Sequence, residues 1–119
     1  VGGLIHCMLP LSKTNLKKAE KRPAMFVDIG VPLLFKQCYS LGAQKERLII
    51  KAAGCADIID RLDTFKVGQR NYAILKKLLW KNQILLSNES IGGCSSRNIS
   101  LSIETGITTL KIRGKKETL

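Results

Sequence analysis

Gly2-Gly3-Leu4-Ile5-His6-Cys7-Met8-Leu9-Pro10 is an apolar run with a single imidazole at its centre and a proline at its end. Residues 3–9 read as a strand that Pro10 terminates, because proline supplies no N–H for a ladder to continue. Successive side chains on a strand point to opposite faces, so Cys7 faces away from His6. His6 is the only histidine of the chain and stands where a strand meets a turn.

Outward from this run, residues 11–23 are polar and basic and form a connection able to move. In residues 24–41 the apolar side chains Phe26, Ile29, Leu33, Leu34, Cys38 and Leu41 recur at helical spacing, with Gly42 as the stop. Pro32 places the regular part of that helix from about Asp28. Residues 47–53, with Leu48, Ile49 and Ile50 at their centre, read as a strand buried on both faces. Residues 54–67 mix Gly, Asp and Thr and read as a long surface loop. Tyr72, Leu75, Leu78 and Leu79 give a second helical stripe that ends near Lys81 and Asn82.

A third strand starts over residues 84–87 and is broken by Gly92-Gly93. Ile99, Leu101 and Ile103 then alternate with Ser100 and Ser102 up to a hairpin turn at Glu104-Thr105-Gly106, and Leu110 and Ile112 alternate along the return strand. Residues 114–119 are expected to fray. The order β-α-β-α-β-β-β predicts an α+β fold: one domain in which a mixed β-sheet sandwich carries two packed helices.

Composition narrows the function classes. A chain of 119 residues with 45% hydrophobic and 24% charged residues is sized and balanced for one soluble domain, and no apolar run reaches the length of a membrane span. Twenty Lys and Arg against nine Asp and Glu give a net charge of +11, which favours anionic partners. The basic residues are spread along the chain, and three Phe, two Tyr and one Trp offer no basic-aromatic stacking platform, so a specific nucleic-acid site is not expected. Cys7, Cys38, Cys55 and Cys94 form no C-x-x-C pair, and one histidine does not make a zinc site, so neither a metal nor another cofactor is expected and the thiols read as free in a cytoplasm.

Five landmarks occur in order: G-G-x-x-H-x-M-L-P at residues 2–10, F-V-D-I-G at 26–30, L-G-A at 41–43, V-G-Q-R-N at 67–71, and G-G…R…I-E-T-G from 92 to 106. Together they resemble the chemoreceptor glutamine deamidases, the CheD family. The resemblance implies hydrolysis of glutamine side-chain amides on methyl-accepting chemotaxis receptors, with His6 as catalytic base and acid. It implies that the nucleophilic cysteine, in a G-S-C turn, and a hydroxyl-bearing third member precede Val1. Residues 1–119 are then a CheD-like deamidase domain expected to lack its first strands. A chemotaxis phosphatase of the CheC type is implied as a second partner, and the cytoplasm as the compartment.

Several residues carry two readings. Gly92 and Gly93 form a turn or bring backbone amides to a bound substrate; Arg70 and Asn71 cap or anchor the second helix; Asp28 caps the first helix or orients the loop beside the site. Cys7 and Cys38 read as core thiols, whereas Cys55 and Cys94 fall in loops and are either incidental or relocated nucleophiles. The alternative to a deamidase is a non-catalytic CheD-like binding module that docks on receptors or on the phosphatase.

Overall fold

The computed structural model describes residues 1–57 and 66–119, so most of the surface loop expected over residues 54–67 lies outside the described residues. Among the described residues the helices are α1 (Leu16–Lys21), α2 (Val27–Ser40) and α3 (Val67–Lys81), and the strands are β1 (Ile50–Gly54), β2 (Leu86–Ile91), β3 (Asn98–Leu101), β4 (Thr108–Ile112) and β5 (Lys115–Thr118). The fold is α+β, as the element order predicts. Its strands form two sheets rather than one mixed sheet: a parallel pair β1–β2 and an antiparallel β3-β4-β5. Gly92 and Gly93, both with positive φ (86° and 70°), turn the chain out of the β2 ladder before β3 begins. No helix among the described residues is long and apolar enough to cross a membrane.

Helix α2 begins one residue earlier than Pro32 suggests. Phe26 is extended (φ −107°, ψ 131°), and the carboxylate of Asp28 sits in the first turn, where the helix dipole favours it. Pro32 is accommodated inside the helix at the loss of the intrahelical bond to the Asp28 carbonyl. At the other end Gly42 (φ 107°) closes the helix, with Gly42 N donating to Tyr39 O and Ala43 N to Cys38 O, both at 3.0 Å. Residues 11–23, expected as a plain connection, carry the short α1, capped by Asn15 Oδ1 accepting from Lys18 N.

Helix α3 links the parallel strands β1 and β2, a crossover that parallel pairing requires. Strand β1 starts at Ile50, after a 3₁₀ turn at Lys45–Arg47, and is half-buried along its length rather than buried on both faces. The pairing slips between Ile50 and Lys51, and the displaced Ser87 hydroxyl accepts the Ile50 N–H at 3.3 Å. The tail forms strand β5 instead of fraying. Ile112 pairs with Lys115 across Arg113 (φ 50°) and Gly114 (φ 80°), a two-residue turn with positive φ at both positions, and β4 offers the edge that β5 fills.

Phe26 and Leu110 are fully buried; Ala19, Val27, Val31 and Leu79 complete a small core. Each large apolar side chain of this kind contributes roughly 1.5–3 kcal/mol by leaving water. The first turn of α3 is pressed on the residue after β1: a Cβ on the buried Gly68 would stand 2.4 Å from the Cys55 carbonyl oxygen. Alanine favours a helix interior by about 1 kcal/mol, but overpacking against rigid backbone costs about 1–3 kcal/mol. Gly68→Ala is therefore expected to lower the urea unfolding midpoint; an unchanged or raised midpoint would show that the contact is not close.

Candidate active site

The His6 run lies along helix α2, antiparallel to it. A Cβ on Gly3 would meet Leu34 Cδ1 at 2.8 Å and Cys38 Sγ at 2.9 Å, and one on Gly30 would meet Ile5 Cδ1 at 3.0 Å. Further along, Met8 N (2.7 Å) and Leu9 N (3.0 Å) both donate to Met25 O, Val27 N donates to Leu9 O (2.9 Å), and Leu9 bridges Phe26 in parallel sense.

Residues 3–9 are thus not a strand of a sheet, which corrects the sequence expectation. Their one backbone neighbour is the short turn before α2, which winds into a helix after a single bridge. The period of two is nonetheless present in the burial. Ile5, Cys7 and Leu9 are half-buried, while Leu4, His6 and Met8 are exposed, Leu4 and Met8 by 55% and 56%. The imidazole stands on the outward side, flanked by apolar side chains. Among the described residues it makes no hydrogen bond.

Two side chains hold the surroundings of the run. Asp28 reaches the loop after Pro10, accepting from Ser12 N at 3.0 and 3.1 Å and from Ser12 Oγ at 2.8 Å, so it orients that loop as one of its two sequence readings has it. Asn71 Nδ2 donates to Met8 O at 3.4 Å, which makes Asn71 an anchor of the His6 run and not only of its own helix. Arg70 is exposed.

Gly92 and Gly93 pack on the chain leaving β1: Gly92 N donates to Gly54 O (2.8 Å), and Asp57 N donates to Gly93 O (2.9 Å). The Gly92 amide is therefore engaged. Arg97, in the motif but given no role from sequence, clips the same turn, donating from Nε to Ser90 Oγ (3.0 Å) and from Nη1 to Gly54 O (3.3 Å). Tyr72 donates its hydroxyl to Glu89, a cross-element bond that helical and strand periodicities do not reveal. That bond pushes the Tyr72 phenol upward from its ordinary range.

Burial raises the Cys7 thiol to about 11, with the nearby Cys55 adding to it. Burial also raises Cys55, with Arg97 opposing and Glu89 reinforcing the shift. Neither is a thiolate at neutral pH, and a thiolate is what attacks a carbonyl. Cys38 is half-buried on α2 and Cys94 is exposed. Alongside the run, between Gly3, Leu34, Ile49 and Ile103, lies an open apolar groove of about 390 Å³.

Residues 8–112 match the family model described as CheD chemotactic sensory transduction. A protein of Syntrophus aciditrophicus named probable chemoreceptor glutamine deamidase CheD 1 is 47% identical over 96% of this chain and 71% of its own length. A Solibacter usitatus protein with the corresponding CheD name is 42% identical over the whole chain, His6 included, and 70% of its own length. A third, from Pyrococcus horikoshii, is 38% identical over 99% of the chain and 70% of its own length. The five landmarks, the family match and these relatives agree: this chain belongs to the CheD family.

Proposed function

We propose that the protein is a chemoreceptor glutamine deamidase, a protein-glutamine glutaminase that converts glutamine side chains of methyl-accepting chemotaxis receptors to glutamate and ammonia. The observation that carries the reading is the near-complete alignment with relatives that bear this name, over a chain whose single imidazole is held outward on an anchored run.

In this reaction His6 takes the proton of a cysteine thiol, and the thiolate adds to the amide carbon. The oxyanion collapses, the C–N bond breaks, and ammonia leaves with the proton that the imidazolium returns. Water then adds to the thioester, giving a proton to the imidazole; the C–S bond breaks, leaving the carboxylate, and the sulfur regains its proton. Of the chain's own thiols, Cys7 points away from His6, and burial keeps both Cys7 and Cys55 protonated. We assign the nucleophile to a segment beyond these 119 residues, in line with the G-S-C turn that the family resemblance implies. An exposed Gly93 amide beside the engaged Gly92 is suited to contact substrate.

The exposed Leu4 and Met8 beside His6 and the net charge of +11 support docking on an acidic, partly apolar receptor surface. A CheC-type phosphatase is the second partner of the proposal, and the cytoplasm its compartment, where receptor signalling domains are reached.

The full-length protein carrying His6→Ala is expected to lose at least about 100-fold in single-turnover glutamine-to-glutamate conversion, read by mass spectrometry, because a positioned base contributes roughly 10²–10⁴ in rate. Receptor affinity should stay within a few-fold. A His6→Ala enzyme that turns over like the parent would remove the base from the reaction. Thiol labelling of the same protein at pH 8 should find Cys94 modified well before Cys7, whose rate climbs as the pH approaches 11. Rapid labelling of Cys7 at neutral pH would contradict the protonated, inward thiol.

A further inference from the structure

We propose that Asn71 is a positioning residue for the deamidation: its carboxamide fixes the backbone two residues past His6 and so sets where the imidazole stands. The inference rests on the reading of His6 as general base and names what holds that base.

Among the described residues, residues 1–7 make no backbone hydrogen bond, and the first pinned residue of the run is Met8. Its N–H donates to Met25 O at 2.7 Å, from the lead-in to α2. Its carbonyl accepts from Asn71 Nδ2 at 3.4 Å, from α3. The two peptide groups of Met8 are thus held by two different elements, and Asn71 is the only side chain in that clamp. Its own place is fixed, because Gly68, one turn earlier on the same helix, is pressed on the backbone of Cys55.

The carboxamide has a second property. Asn71 Oδ1 is shut off from solvent with no hydrogen-bond partner. A flipped amide would set this oxygen against Met8 O, two acceptors facing each other, so the donor orientation is dictated by the carbonyl. A buried acceptor without a partner costs about 1–3 kcal/mol. Stability alone would then favour an apolar residue of the same size; what the amide supplies is the Nδ2–H on Met8 O. A base that must carry a proton from sulfur to a departing nitrogen is sensitive to such a hold, since a displacement of about 1 Å can cost on the order of 100-fold in rate.

The test is a double-mutant cycle in the full-length protein: parent, His6→Ala, Asn71→Leu and the double variant, each assayed for single-turnover deamidation of a receptor fragment, KM and thermal unfolding. Asn71→Leu is expected to lower the rate at least about 10-fold with KM within about 3-fold and an unfolding midpoint equal to or above the parent's, and to change the rate less than about 2-fold once His6 is alanine. Asn71→Ala replaces it in the cycle if the leucine variant does not fold. An equal loss with and without His6, a loss confined to KM, or no loss at all overturns the proposal. If His6→Ala itself retains the parent rate, the general-base reading fails instead, whatever Asn71 does.

Discussion

The carbonyl of Met25 accepts two amides from the His6 run at once, and the rest of the structure is arranged around that clamp. It ties an otherwise unpaired segment to the entry of α2, where Phe26 is fully buried and Val27 nearly so. The bridge between Leu9 and Phe26 lets the run lie along α2, and Gly3 and Gly30 keep the approach close by presenting no side chain. A backbone clamp suits this task better than a side-chain contact, because its donors lose little freedom on binding and both belong to the chain being held.

The same clamp explains which parts of the fold were legible in the sequence. The alternation of Leu4, Ile5, His6 and Cys7 correctly assigned the outward and inward sides, since sidedness depends on local extended geometry. Membership of a sheet depends on a partner, and no local pattern specifies one; the run had the period of a strand and found a helix entry beside it. Helices α2 and α3 were legible because their stripes and their stops at Gly42 and Asn82 are local. Strand β5 was missed because its residues are polar and exposed throughout; the signal was the Arg113-Gly114 pair, a two-residue hairpin turn that outweighs the lack of apolar alternation. The division into two sheets follows from consecutive positive-φ glycines, which the sequence marks as a break without saying where the chain goes next.

For the site, residue types were more legible than their partners. His6 and the Gly-Gly pair stand out by composition alone. The bonds of Asp28 to Ser12, of Tyr72 to Glu89 and of Arg97 to Gly54 join residues 16, 17 and 43 positions apart, distances over which periodicity carries no information. In a chain with nine acidic residues, Asp28 and Glu89 are engaged with neutral donors inside the molecule, which leaves the basic surplus facing outward.

Burial and exposure divide the chemistry along one short segment. On its inward side Cys7 is desolvated, which favours the neutral thiol and removes a nucleophile that would otherwise compete beside the base. On its outward side His6 keeps access to solvent and substrate, between Leu4 and Met8, whose apolar side chains would exclude water once a partner covers them. One residue of register separates the two outcomes, so a slip of the run along α2 would bury the imidazole and expose the thiol. The hydrogen bonds at Met8 and Leu9 forbid that slip, and it is in fixing register, more than in adding stability, that they serve the reaction.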